Sequence, residues 1–164
     1  MALLRFIALV ALALWVGGLV ALASVSAPVL FDMLQAQNPA TGRELAGQLF
    51  GGMFSRFQYG AWMLGGLVII SLAVRAALGP RPRRFGVRTW SAAAMLAASV
   101  GTVLVVTPRI DAIRTSVGGP VASLPVDDAR RTEFGRLHGL STGLMMATIL
   151  LGVGLLWMET RDHS

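Results

Sequence analysis

The chain contains no cysteine and no lysine, and only 13% of its 164 residues are charged. Without cysteine it can form no disulfide, no thiolate metal site and no cysteine nucleophile. A soluble domain of this size would carry roughly a quarter charged residues, about twice the fraction found here. Together with 55% hydrophobic residues, this composition excludes a disordered chain, a disulfide-rich secreted scaffold and an ordinary soluble enzyme.

Because lysine is absent, arginine supplies all of the positive charge behind the net charge of +6. A basic chain can bind nucleic acid, but these arginines cluster at the ends of apolar runs, as they do in membrane proteins. We therefore expect the lipid bilayer to be a partner of this chain, and we expect no nucleic acid partner.

Four long apolar segments predict membrane spans at about residues 6–30, 57–78, 89–107 and 137–157. A helix that rises about 1.5 Å per residue needs roughly 20 residues to cross the hydrocarbon core. Backbone amides in lipid must be satisfied within the segment, which favours helices over open strands. The sequence therefore predicts an all-α membrane protein: a four-transmembrane-helix bundle in a single domain over residues 1–164, with both termini on one side.

The first apolar segment imitates a signal peptide, because small residues at positions 23–27 follow a basic start at Arg5. Its apolar stretch is longer than the 7–15 residues of a signal-peptide core. Pro28 would also lie just after the cleavage point. We expect this segment to be retained as the first helix.

The arginines also bear on orientation. Arg81, Arg83, Arg84 and Arg88 crowd the short connection between the second and third segments, and Arg5 lies on the same side. Seven arginines fall on each side, but density near helix ends is the feature that correlates with the cytoplasm. The sequence therefore predicts a multi-pass protein of the cell (inner) membrane with cytoplasmic N- and C-termini.

The two outer loops are expected at residues 32–55 and 108–135. In the first loop, residues 41–44 form a capping-box pattern that predicts a short helix, and Leu45, Leu49 and Phe50 would hold it on the membrane surface. In the second loop, Asp127 is the expected cap of a helical stretch over residues 129–138 that runs into the fourth span.

An offset of 80 residues relates the two halves of the chain. Pro28 matches Pro108, Phe54 matches Phe134, and Arg56 matches Arg136. These residues stand at equivalent helix ends, so the fold would be two tandem helical hairpins related by an axis along the membrane normal. Small residues every four positions in several spans predict close helix packing, within the bundle or between copies.

Polar residues near the outer ends of the spans form the candidate binding site. They are Asp32, Arg56, Gln58, Arg109, Asp111, Glu133, Arg136 and His138. A ring of such groups at the outer mouth of the bundle could bind an anion or a lipid headgroup, or relay a proton. The alternative interpretation is a set of interhelical ion pairs and phosphate contacts. The sequence contains no pattern that predicts a catalytic residue.

His138 is the one histidine within a span, and an ionisable group there is a functional candidate. Met145 shares its helix face two turns away, about 10 Å by helical rise. A copper site needs more soft ligands than these two. His138 and Met145 are therefore weak metal-ligand candidates, and an interfacial histidine bonded to a carbonyl or headgroup is the alternative.

Several stretches resemble one membrane-protein family. They are residues 15–18 (WVGG), 27–31 (APVLF), 47–54 (GQLFGGMF) and 134–141 (FGRLHGLS). These resemble the transmembrane protein 205-like family, also described as domain of unknown function 4149. The resemblance implies a four-helix membrane bundle without an established biochemical activity, and it places His138 within a family motif.

A more distant likeness in topology is to the copper-resistance protein D group and to four-helix haem-binding oxidases. That likeness implies haem or copper, but those proteins use further histidine or lysine groups in their spans. This chain lacks them, so no cofactor is predicted outside this alternative.

Three functions remain open from the sequence. The leading hypothesis is a non-enzymatic small subunit or accessory protein of a membrane assembly, with other membrane subunits or further copies of itself as partners. The alternatives are a metal- or haem-handling protein that uses His138, and a transporter of a small solute or ion gated by Arg56 and Arg136. Transporters keep ionisable groups near the midplane, whereas the charges here lie toward the helix ends.

Overall fold

The computed structural model describes residues 2–79 and 81–161, and four long helices account for most of them. The helices are α1 (Ala2–Gln37), α2 (Gly42–Leu78), α3 (Phe85–Val117) and α4 (Ala129–Thr160). Each contains an apolar stretch long enough to cross a membrane, and the described residues contain no strand. The predicted all-α, four-span fold is confirmed.

The helices pack in a ring in which α1 and α3 each contact both α2 and α4. The largest fully buried side chain is Trp15, in the middle of α1. Its ring lies so close to α2 that a Cβ atom added at Gly65 would stand 2.9 Å from it. The absence of a side chain at Gly65 therefore lets α1 and α2 approach closely around the indole.

Two wide helical turns interrupt α1 and α3 at equivalent places. In the π turns at Leu22–Ser26 and Thr102–Val106, the N–H of the following residue bonds to the carbonyl five residues back. Pro28 and Pro108 come directly afterwards. A proline ring clashes with the carbonyl four residues earlier in an α-helix, and a wider turn makes room for it.

The two π turns are offset by 80 residues, the spacing that relates the prolines in the sequence. The ring packing has the same symmetry, because exchanging the α1–α2 hairpin with the α3–α4 hairpin preserves every neighbouring pair. Trp15 and its repeat equivalent Met95 are both fully buried. These features support the prediction of two tandem hairpins.

The helices are longer than a membrane is thick. At about 1.5 Å per residue they measure roughly 50 Å, against about 30 Å for the hydrocarbon core. We call the end that carries residues 2, 161 and the 79–84 connection the terminal end, and the other the opposite end. The apolar runs begin close to the terminal end, so the helical length beyond a membrane-spanning stretch lies toward the opposite end.

The structure corrects the predicted short helix in the first outer loop. Residues from Gly42 onward belong to α2 itself, and the Thr41 side chain makes no capping hydrogen bond. Ala46 is buried, and Phe50 packs against the main core. This segment therefore packs against the bundle as the first turns of α2, and the prediction of a separate surface helix is wrong.

The start of α4 agrees with the sequence except for its cap. The helix begins at Ala129 and continues into the fourth span, as predicted. The capping residue is Asp128 and not Asp127, because the Asp128 carboxylate accepts a 2.8 Å hydrogen bond from the Arg130 N–H. An N-cap side chain bonds to the second or third helical residue, and Asp128 alone has that register.

Candidate functional site

A buried ionic cluster at the terminal end joins α2, α3 and α4. Glu159 is 2% exposed and uses both carboxylate oxygens. Its Oε2 accepts from Arg75 Nη1 at 2.8 Å, and its Oε1 accepts from Arg88 Nη1 at 2.7 Å. One glutamate on α4 therefore holds two arginines from different helices.

Arginines also bond the carbonyl oxygens that end α4. Arg5 donates to the Glu159 carbonyl at 2.7 Å and to the Thr160 carbonyl at 3.2 Å. Arg88 donates to the Met158 carbonyl at 2.8 Å. The last carbonyls of a helix lack partners and carry partial negative charge, so these guanidinium groups satisfy them.

We call Arg5, Arg75, Arg88 and Glu159 the terminal cluster, and each of the four helices contributes one of its members. Removing a charge from water is costly unless it is paired and hydrogen-bonded. The partners described above meet that requirement, because the carboxylate and the helix-end carbonyls face the three guanidinium groups. The ion pairs and hydrogen bonds of the terminal cluster therefore join the ends of all four helices.

The terminal cluster was not among the predicted site residues, although the sequence contains a signal for it. Arg75 stands within an apolar run, where a charged residue implies a buried partner. Glu159 is the one acidic residue at the terminal end in the part of the chain that the structure describes. Because Arg75 and Glu159 carry opposite charges, the sequence could have predicted their ion pair.

A second polar group lies between α2 and α3 inside the bundle. The Trp62 indole donates to Ser99 Oγ at 2.9 Å, and the Ser99 hydroxyl donates to Gln58 Oε1 at 3.1 Å. Gln58 is 3% exposed. Gln58 was expected at the outer mouth, but it lies inside the bundle and links α2 to α3.

A half-buried ion pair links the helices at the opposite end. Arg114 Nε of α3 lies 3.1 Å from Glu44 Oε1 of α2, and Arg114 Nη1 lies 3.7 Å from Asp111 Oδ1. The Arg114 guanidinium also covers the Phe134 ring of α4, 5.5 Å from its centroid. Of the predicted site residues, Asp111 alone joins this group, and its side chain remains 61% exposed.

The other charged candidates lie on the surface. Asp32, Arg56, Arg109, Glu133 and Arg136 are all exposed, and no ion pair within the described residues joins any two of them. Glu133 and Arg136 lie one helical turn apart on the open outer surface of α4. Within the described residues, no hydrogen bond or ion pair therefore joins predicted ring residues that lie on different helices.

His138 is exposed, and its ring stacks on Phe134 with the centroids 6.3 Å apart. Met145 packs against the main core two turns further along α4. Residues 2–79 and 81–161 contain no group of three or more histidine, aspartate or glutamate side chains arranged to hold a metal. His138 and Met145, the two weak metal-ligand candidates, thus lie on one helix, and no group of histidine, aspartate or glutamate side chains within the described residues completes a metal site with them.

One family model matches the chain. It is described as a domain of unknown function (DUF4149), and the match covers residues 10–118, more than half of the sequence. The matched part includes both π turns and all of α2, whereas α4 and His138 lie beyond it. No curated protein and no solved structure matches the chain.

Proposed function

Because the chain belongs to the DUF4149 family and folds as four membrane-length helices, we propose that it is a non-enzymatic small subunit or accessory protein of a membrane assembly. The terminal cluster carries this proposal. Its ionic groups are engaged in holding the four helices together, which suits a rigid scaffold better than a reaction centre.

The distribution of polar groups at the opposite end supports the same function. Asp32, Arg56 and Arg109 are exposed there and have no ion-pair partner within the described part of the chain. An assembly partner or lipid headgroups can pair with such charges. We therefore place the contacts with other subunits at this end and along the exposed helix faces.

The proposal also includes the membrane in which the protein lies and the side that its terminal end faces. The arginines of the 79–84 connection crowd the terminal end, which favours a cytoplasmic position for it in the cell (inner) membrane. The resemblance to the transmembrane protein 205-like family agrees with a membrane protein whose role is not a known reaction. No cofactor is needed for this role.

The size of the protein in its native surroundings tests the proposal. The full chain is extracted with its lipids in mild detergent and in polymer-bounded discs, and the mass of the protein component is measured by light scattering. We expect a particle that contains more than one polypeptide, as further copies or as a second protein in fixed ratio. A single chain under every condition would contradict the proposal.

The same preparation tests the metal- or haem-handling alternative. An absorption spectrum and a metal analysis would detect haem or stoichiometric copper, and His138→Ala would remove that content if His138 were a ligand. We expect neither a haem band nor stoichiometric metal. A positive result that is lost in His138→Ala would replace the proposed function with the metal-handling one.

A further inference from the structure

The exposed arginines at the terminal end have almost no acidic residues near them. Arg81, Arg83, Arg84 and Arg161 are exposed, and within the described residues none of them forms an ion pair. Glu159, the one acidic residue that the structure describes at this end, is buried in the terminal cluster. Six acidic residues accompany the arginines of the opposite end, so most of the net charge of +6 lies at the terminal end.

The terminal end lies close to the ends of the apolar runs. Helix α2 ends at Leu78, and residues 79–84 alone separate it from α3. Three large apolar side chains at this end are 58–78% exposed: Leu78, Trp90 and Trp157. Exposed apolar side chains suit contact with lipid, and tryptophan is enriched at membrane–water interfaces. With the lipid boundary at the ends of the apolar runs, the arginines of the connection lie at the level of the phospholipid headgroups.

Two of these arginines lie against aromatic rings. Arg161 Cζ is 3.8 Å from the centroid of the Trp157 ring, and Arg81 Cζ is 5.4 Å from that of the Phe85 ring. A ring face attracts a guanidinium group, but it leaves most of the five N–H donors without an oxygen acceptor. The rings therefore position the two charges, and their donors remain available to a partner outside the chain.

Arg84 has a backbone conformation that arginine rarely adopts. Its φ of 55° and ψ of 39° lie in the left-handed region, which is strained for a residue with a Cβ atom and is favoured by glycine. The Arg84 carbonyl accepts a 3.1 Å hydrogen bond from the Arg88 N–H at the start of α3. An exposed arginine thus stands at a turn where glycine would fit with less strain. Strain of this kind points to a role outside the fold.

We propose that the terminal end binds the phosphate groups of anionic phospholipids in the leaflet that surrounds it. Guanidinium groups pair with phosphate through charge-assisted, often bidentate, hydrogen bonds. Clusters of about four to eight basic residues beside a membrane span attract anionic lipids. Nucleic acid also presents phosphates, but headgroups already lie at the level of these arginines. The inference goes beyond the proposed function, because the partner is a lipid and the binding does not depend on assembly.

Lipid selectivity in a bilayer tests the proposal. The full chain is placed in phosphatidylcholine vesicles that contain a trace of spin-labelled phosphatidylglycerol or spin-labelled phosphatidylcholine. Electron spin resonance measures how much of each lipid is immobilised on the protein. We expect phosphatidylglycerol to be enriched several-fold, and we expect added salt to reduce the enrichment because salt screens exposed charges. Equal association of the two lipids would overturn the proposal.

Variants of the connection test which groups bind the lipid. Replacing Arg81, Arg83 and Arg84 together by glutamine should remove most of the enrichment, because each basic residue near an anionic surface contributes roughly a fivefold preference. Replacing the same three residues by lysine keeps the charge and should keep the enrichment. An enrichment that survives the glutamine variant, or that is lost in the lysine variant, would contradict the proposal.

A second triple variant is the matched control at the opposite end. Replacing Arg43, Arg56 and Arg109 by glutamine removes the same charge from exposed positions. Acidic residues already balance the arginines of that end, so this variant should retain the enrichment. An equal loss from both triple variants would show that any exposed arginine suffices, and it would overturn the assignment to the terminal end.

Arg84→Gly distinguishes lipid binding from folding. Glycine relieves the strain at a positive φ, so the melting temperature should stay the same or rise while the enrichment falls. An unchanged enrichment would contradict the role of Arg84. Displacement of the labelled phosphatidylglycerol by a short DNA duplex would identify nucleic acid as the partner and overturn the proposal. The assembly role would stand in each case, because particle mass is measured independently.

Discussion

The two ends of the bundle carry the same number of arginines but pair them differently. Seven arginines lie toward each end, yet six of the seven acidic residues in the described part of the chain lie at the opposite end. At the terminal end, Glu159 pairs with two buried arginines, and the carbonyls that end α4 bond a third. At the opposite end, most charged side chains are exposed.

Burial, and not the number of opposite charges, therefore decides how strongly each end of the bundle is held together. Exposed ion pairs contribute up to about 1 kcal/mol because water screens them. Breaking a buried pair leaves a charge without solvent and costs several times more. The terminal end should therefore resist opening, whereas the opposite end leaves its charges available to a partner.

The largest expected effect is at Glu159. Glu159→Gln removes the carboxylate charge that pairs with the buried Arg75 and Arg88 and should cost about 3–5 kcal/mol of unfolding free energy. That loss corresponds to a melting temperature lower by about 10 °C, measured by thermal unfolding in detergent. Asp32→Asn, at an exposed acid of the opposite end, is the control and should change little.

A triple variant distinguishes the effect of losing ion pairs from the effect of losing side-chain packing in the terminal cluster. Replacing Arg75 and Arg88 by methionine and Glu159 by leucine removes all three buried charges together. Apolar replacement of a whole buried ionic group is often neutral, so this variant should be more stable than Glu159→Gln. If it is equally unstable, the charges are not the cause.

A smaller effect is expected for the Glu44–Arg114 pair at the opposite end. Both side chains are less than one-fifth exposed, so Glu44→Gln should cost about 1 kcal/mol and lower the melting temperature by roughly 3 °C. The effect should shrink in high salt, unlike that of Glu159→Gln. Arg43→Gln, next to Glu44 in the sequence, is the control. If Glu44→Gln lowered the melting temperature as much as Glu159→Gln does, the two ends of the bundle would be held equally strongly, which would contradict the comparison above.

The smallest effect is expected at the cap of α4. Hydrogen bonds from the Arg130 side chain and backbone lower the pKa of the Asp128 carboxyl from its usual 3.8. A lowered pKa adds stability above pH 3.8, and that stability is lost as pH falls through the folded-state pKa.

Asp128→Asn should therefore lower the melting temperature by about 1–2 °C at pH 7. The difference from the unaltered chain should shrink as the pH falls below 3.8 and through the lowered folded-state pKa, where the carboxyl becomes protonated. Asp127→Asn, one residue earlier, serves as the matched control and should not change the melting temperature. A larger effect at Asp127 would place the cap where the sequence first suggested it.

The sequence predicted the number of spans because apolar runs report directly where lipid lies. It misplaced the start of α2 for the same reason. The second apolar run begins near residue 57, whereas the hydrogen-bonded helix begins at Gly42. A hydropathy pattern indicates where a helix enters the lipid. The helix itself begins and ends where its backbone hydrogen bonds begin and end, and these positions can lie outside the apolar run.

The candidate site was harder to predict, because it depends on the rotation of each helix about its axis. Gln58 faces the interior and Arg56 the surface, because residues two positions apart on a helix point in directions that differ by about 200°. The weak amphipathicity of an apolar helix gives little indication of such a rotation. The terminal cluster needed one further step, the matching of Glu159 to Arg75 across 84 residues.

The early start of α2 also determines how far the protein extends into water. The roughly 15 residues between Gly42 and the lipid boundary span about 20 Å of helix. With the lipid boundary at the start of the apolar run near residue 57, this part of α2 reaches beyond the lipid headgroups. An antibody raised against this part could recognise it in intact membranes and report which compartment it faces.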